Sequence, residues 1–87
     1  MKITFVSTGW DDYLWWQAND RVTLRRVNRL IEDIVRNGHN GIGKPEPLRQ
    51  NLAGYWSRRV TSEHRLVYAL EGDAVVIVSC RFHYEQS

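Results

Sequence analysis

Tyr55-Trp56-Ser57-Arg58-Arg59-Val60, Thr61-Ser62-Glu63, His64-Arg65-Leu66-Val67-Tyr68-Ala69-Leu70, Glu71-Gly72-Asp73 and Ala74-Val75-Val76-Ile77-Val78-Ser79-Cys80-Arg81-Phe82 follow one another without interruption. The three longer runs are rich in β-branched and aromatic residues, and the two short ones are polar or contain glycine. Residues 55–60, 64–70 and 74–82 therefore read as strands joined by short turns, an antiparallel meander. Upstream, Ile3-Thr4-Phe5-Val6 reads as a further strand. Trp10, Tyr13, Leu14 and Gln17 recur at helical spacing and predict a helix over residues 9–18, with Thr8 and Asp11 resembling a capping box. Asn19-Asp20 offers a second N-cap. From there Leu24, Val27, Leu30, Ile31, Ile34 and Val35 form one apolar stripe through Asn37, with Gly38 placed to close the helix. The opposite face, with Glu32 and Asp33 among its arginines, reads as solvated, with contact of those arginines to RNA or a partner as the alternative. A strand, two helices and three strands describe an α+β domain with a two-helix hairpin packed on one face of a mainly antiparallel sheet.

The 87 residues suit a single domain, 1–87, with a thin core, so function must sit on the surface or at a partner. The composition, 43% hydrophobic and 25% charged, is that of a soluble folded chain rather than a disordered one. A single cysteine, Cys80, excludes an internal disulfide, and its apolar run predicts a buried thiol. The chain has neither a signal-peptide pattern nor an apolar run long enough for a membrane span, so the expected location is cytoplasmic.

The net charge of +2 conceals an asymmetry, because residues 41–65 carry Lys44, Arg49, Arg58, Arg59 and Arg65 against only Glu46 and Glu63. Arginine suits bidentate phosphate contacts, which makes nucleic acid a candidate partner; a solvated face with incidental salt bridges is the alternative. Residues 38–51 are rich in Gly, Pro and Asn and too long for a plain linker, which suggests a functional loop. Within it Gly38-His39-Asn40-Gly41-Ile42-Gly43-Lys44 matches part of a P-loop. However, Pro45 stands where the magnesium-contacting Ser or Thr belongs, and the segment follows a helix rather than a strand. His39, His64 and His83 lie too far apart for a recognisable zinc spacing, and no metal or other cofactor is expected.

Pro45-Glu46-Pro47 holds a carboxylate on stiffened, extended backbone inside this basic segment, as a general base acting on RNA would require. Period-2 alternation sends Arg58 and Arg59 to opposite faces, so at most one joins Arg65 at a site; Arg59 is the expected member. At the end of the chain His83 is a natural proton donor or acceptor near neutral pH, and Tyr84 could stack on a base or orient a phosphate.

Gly43-Lys44-Pro45-Glu46-Pro47-Leu48, Asn51-Leu52-Ala53-Gly54-Tyr55-Trp56-Ser57-Arg58-Arg59, Glu63-His64-Arg65-Leu66-Val67-Tyr68 and Cys80-Arg81-Phe82-His83-Tyr84, with Trp10-Asp11-Asp12-Tyr13 upstream, together resemble the YoeB-type toxins of the RelE/ParE superfamily. The resemblance covers nearly the whole chain. It implies a RelE-like, microbial-RNase-like fold and a ribosome-dependent, metal-independent endoribonuclease that cuts mRNA in the A site of the 70S ribosome. It also implies silencing by an antitoxin of the YefM/Phd type, operator DNA binding only as the toxin–antitoxin complex, and a homodimer. By the same analogy Glu46 is the general base on the ribose 2′-OH, His83 the general acid, Arg65 the cation that neutralises the phosphate, and Tyr84 a holder of the nucleotide. Lys44, Arg49, Arg58, Arg59 and Glu63 are expected to bind RNA or support the site.

The chain departs from the family pattern in three places. Residues 37–41 lack a proline, Ser7-Thr8-Gly9 replaces a more acidic helix start, and Glu85-Gln86-Ser87 extend the end. Two other functions fit the same fold: a noncatalytic or gyrase-directed ParE-like toxin, and an interaction module for a disordered acidic partner. The joint presence of Glu46, Arg65 and His83 favours cleavage.

Overall fold

The computed structural model describes residues 1–82. Its elements are β1 (Lys2–Phe5), α1 (Ser7–Asn19), α2 (Arg21–Asn37), β2 (Glu46–Pro47), a single 3-10 turn (Gln50–Leu52), β3 (Trp56–Arg59), β4 (Arg65–Glu71) and β5 (Ala74–Ser79). The strands form one sheet in the order β1-β5-β4-β3-β2. All neighbours are antiparallel except β1, which runs parallel to β5 from Lys2 opposite Ala74 to Phe5 opposite Ile77. The meander, the N-terminal strand and the helical hairpin thus stand as the sequence predicts, and the short edge strand β2 is added to them.

α2 is built by local chemistry. Asp20 caps it by accepting from the Thr23 amide at 3.1 Å and the Thr23 hydroxyl at 2.7 Å. Gly38, at φ 66°, ends it with its amide on the Ile34 carbonyl at 2.8 Å. Val27, Leu30, Ile31 and Ile34 on this helix are buried with Leu66, Tyr68, Val75 and Ile77 on the sheet. Each such side chain contributes roughly 1.5–3 kcal/mol by leaving water.

α1 starts differently from the capping box expected at Thr8. The helix begins at Ser7, and the Thr8 hydroxyl donates instead to the Val78 carbonyl of β5 at 2.7 Å. Gly9 permits this close seating, because a Cβ there would lie 2.4 Å from the Ile77 carbonyl oxygen. Of the four tryptophans, Trp16 lies in the core and Trp56 packs against it, while Trp10 and Trp15 are exposed. Cys80 is fully buried as expected. No helix among the described residues is long and apolar enough to cross a membrane.

β5 ends at Ser79, three residues before the expected limit. The ladder slips between Val67 and Tyr68, and α1 takes over the next backbone groups: the Cys80 amide donates to Asp12 at 3.0 Å, and the Cys80 carbonyl accepts from Trp16 Nε1 at 2.9 Å.

Candidate active site

Pro47 and Pro45 do set Glu46 in extended backbone, and the neighbouring bonds turn that into a strand. The Arg59 amide donates to the Gly43 carbonyl at 2.7 Å, and the Leu48 amide to the Tyr55 carbonyl at 2.9 Å. Between them Glu46 lies opposite Ser57, and Pro47 opposite Trp56. Gly43 is required where the loop joins the sheet: its φ is 82°, and a Cβ would meet Leu30 at 2.8 Å.

Register then decides which side chains share a face. Glu46 faces Ser57, Ser57 faces Val67, and Arg59 faces Arg65, so Glu46, Arg59 and Arg65 project from the side of the sheet away from the helices. Two strand spacings and two residues separate Glu46 from Arg65, a Cα distance of about 12 Å. A carboxylate and two guanidinium groups, Glu46 and Arg59 exposed and Arg65 half-buried, therefore share one face of the sheet with the buried Ser57 and Val67. Arg65 is braced by the β3–β4 turn, where its Nη1 donates to the carbonyls of Thr61, Ser62 and His64 at 2.8, 3.4 and 3.0 Å.

Arg58 lies on the opposite face and is fully buried. Its guanidinium pairs with Asp33 of α2. It also donates to the carbonyls of Ile42 at 3.0 Å, Gly38 at 2.6 Å and Asn40 at 3.1 Å, and to the Tyr68 hydroxyl at 3.3 Å. Burial closes contact with RNA to it, which corrects that part of its expected role; its bonds tie residues 38–42 to helix and sheet. Asp33 completes the tie by accepting from the Ile42 amide at 3.1 Å, and the bond from Arg58 holds its carboxyl below the usual range.

Among the remaining expected residues, Lys44 and Arg49 are exposed on either side of Glu46, and Glu63 is exposed in the β3–β4 turn. Lys44 adopts a left-handed φ of 51°. His83 and Tyr84 lie outside the described residues. The segment leading to them is fixed, however: the Phe82 amide donates to His64 Nδ1 at 2.6 Å, and the Arg65 amide donates to the Phe82 carbonyl at 3.2 Å. Phe82 thus lies beside the Arg65 backbone.

Several residues around the site carry parts that the sequence does not announce. His39 stacks on Trp56 with centroids 3.9 Å apart and planes 10° from parallel. Its Nδ1 lies 3.3 Å from the Tyr68 hydroxyl, and burial, helped by the Arg58 charge, pushes its pKa down. Asp33, on the face of α2 that reads as solvated, instead holds Arg58, and His64 holds Phe82. These partners are distant in the chain, and only Asp33's position on α2, four residues before Asn37, gives a local signal, realised as an Asn37 bond at 2.8 Å.

Residues 5–84 match the model of the YoeB-like toxin of bacterial type II toxin–antitoxin systems. The chain is 57% identical to the toxin YoeB of Synechocystis sp., over 99% of this chain and all of that protein. Its fold is similar to that of a YoeB/ParE toxin from Agrobacterium tumefaciens, with a TM-score of 0.94 at 45% identity, covering 97% of this chain and 100% of the other. It is also similar to the Staphylococcus aureus YoeB, solved in a heterotetrameric complex with YefM and as a dimer. There the TM-score is 0.90 at 46% identity, over 97% of this chain and 98% of that one.

Proposed function

The chain belongs to the family of YoeB-like toxins of bacterial type II toxin–antitoxin systems, and from that premise we propose that it is a ribosome-dependent endoribonuclease acting on mRNA in the A site. The observation that supports the reading is that Glu46 and Arg65 share one face of the sheet, with Phe82 hydrogen-bonded to the Arg65 backbone. Glu46 takes the proton of a ribose 2′-OH as that oxygen attacks the adjacent phosphorus. Arg65, with Arg59 beside it, offsets the charge that builds on the phosphoryl oxygens. The bond from phosphorus to the 5′ oxygen breaks, and His83 supplies the proton that this oxygen takes up. The products are a 2′,3′-cyclic phosphate and a 5′-hydroxyl, and Tyr84 holds the nucleotide in line. Lys44 and Arg49 flank Glu46 and suit contacts with the RNA backbone.

The partners follow from the same premise. An antitoxin of the YefM kind silences the toxin, the pair together binds operator DNA, and the toxin associates with a second copy of itself. The exposed apolar side chains Ile3, Val6, Trp10, Leu14 and Val22 provide surface for such contacts.

Primer extension on a defined message tests the proposal, with protein added to programmed 70S ribosomes and separately to naked RNA. Cuts are expected only in the A-site codon, slowed about 10²–10⁴-fold by Glu46→Gln or His83→Ala. A folded, growth-arresting protein that cuts neither sample would instead be a gyrase-directed or noncatalytic toxin.

A further inference from the structure

The backbone of residues 80–82 is held by bonds from α1 and from β4 and its turn. Cys80 is bonded through both its amide and its carbonyl, to Asp12 and Trp16 of α1. The Arg81 guanidinium lies 3.6 Å from the centre of the Trp15 ring. Phe82 has a φ of 68°, a left-handed conformation that a bulky L-residue keeps only where its surroundings impose it. What imposes it is a pair of bonds from consecutive residues of β4 and its turn: His64 Nδ1 receives the Phe82 amide, and the Arg65 amide reaches the Phe82 carbonyl.

His64 is suited to this task. Its ring is largely buried, with the Trp16 ring edge-on at 4.8 Å and 87°, and the Phe82 ring on another side at 5.8 Å. Because Nδ1 accepts, the ring proton belongs on Nε2, and Nε2 faces the Glu63 carboxylate at 3.7 Å. Glu63 thereby favours the tautomer that leaves Nδ1 free to accept.

We propose that His64 is a positioning residue for cleavage: by accepting the Phe82 amide it fixes the backbone of the residue that immediately precedes the proposed acid, holding that backbone beside Arg65. The inference rests on the reading of His83 as the proton donor. His64 itself touches no substrate and acts through the backbone of Phe82. Its contribution is geometric, and displacement of a reacting group by about 1 Å can cost on the order of 10²-fold in rate.

The test uses His64→Asn, whose side-chain oxygen can sit where Nδ1 does, and His64→Gln, which is polar but places its oxygen near the Nε2 position. For each full-length protein three quantities are measured: hydrogen exchange of the Phe82 amide, affinity for programmed ribosomes, and the single-turnover rate of mRNA cleavage. His64→Gln is expected to lose Phe82 protection and to cleave about 10- to 100-fold more slowly, with ribosome affinity unchanged. His64→Asn is expected to keep the protection and to cleave within a few-fold of the wild type. Equal rates for the two variants, or a His64→Gln protein as fast as the wild type, would overturn the proposal. A separate control is His83→Ala: if that variant cleaves normally, the assignment of the acid fails, and the positioning role of His64 falls with it even where the Phe82 amide responds as expected.

Discussion

Arg58 and Asp33 meet beneath the loop that carries Glu46, the arginine from the sheet and the carboxylate from α2, with the loop's own carbonyls closing around the guanidinium. The face that bears Glu46, on the other side of the sheet, is therefore backed by a charge that never reaches it.

This arrangement separates two adjacent arginines. Removing one partner of a buried ion pair costs about 3–5 kcal/mol, so Arg58→Ala should lower the unfolding free energy by that order, seen as an earlier urea midpoint. Arg59→Ala, at an exposed position on the face that bears Glu46, should change stability by no more than about 0.5 kcal/mol and weaken cleavage instead. Equal urea midpoints for the two variants would show that the buried network does not hold the loop.

His39 gives the fold a dependence on mildly acidic pH. Burial against Trp56 and Tyr68, with the Arg58 charge nearby, lowers its folded pKa below the ordinary 6.5. Tyr68 already accepts from Arg58, so its hydroxyl proton is free to meet a neutral Nδ1. Below pH 6.5 the unfolded chain binds the proton first. The stabilisation is thus complete above that pH and is lost as pH falls toward the folded pKa. Urea unfolding at pH 7.5 and pH 5 should show a smaller loss for His39→Phe, which keeps the stacked ring, than for the wild type.

The elements legible in the sequence are those whose causes are local. Asp20 and Gly38 cap α2 through bonds to residues three or four positions away, and the apolar stripe between them needs only the helical period. Alternation also separates Arg58 from Arg59, but which of the two faces the helices depends on the register with Leu66 and Arg65. Thr8 departs from its expected capping role because its hydroxyl partner, Val78, is distant in the chain. β5 stops short of its expected end because Asp12 and Trp16 claim the Cys80 backbone. Glu46 stands out in the sequence as a stiffened carboxylate, yet its strand is made by pairing with β3, flanked by the Gly43–Arg59 and Leu48–Tyr55 bonds. For His83 and Tyr84 the residue types suggest a proton carrier and a stacking ring, and the specific roles come from the resemblance.

Cys80 carries the opposite pH dependence from His39. Burial, with the Asp12 charge adding to it, pushes the thiol up from 9.0 to about 12. Between those values the unfolded chain releases the proton while the folded chain keeps it, so stability is full below pH 9 and declines as pH rises. The loss should be about 1 kcal/mol by pH 10. Comparing urea unfolding of the wild type and Cys80→Ala at pH 8 and pH 10 isolates this contribution from the lysines and tyrosines common to both. The wild type should lose more stability than the variant across that interval. The native thiol should also resist alkylation at pH 8 and react fully once the chain is unfolded in guanidinium. Rapid alkylation of the folded protein would mean that the contacts of Trp16 and Asp12 with the Cys80 backbone open readily, and the anchorage of the segment leading to His83 would be weaker than its geometry indicates.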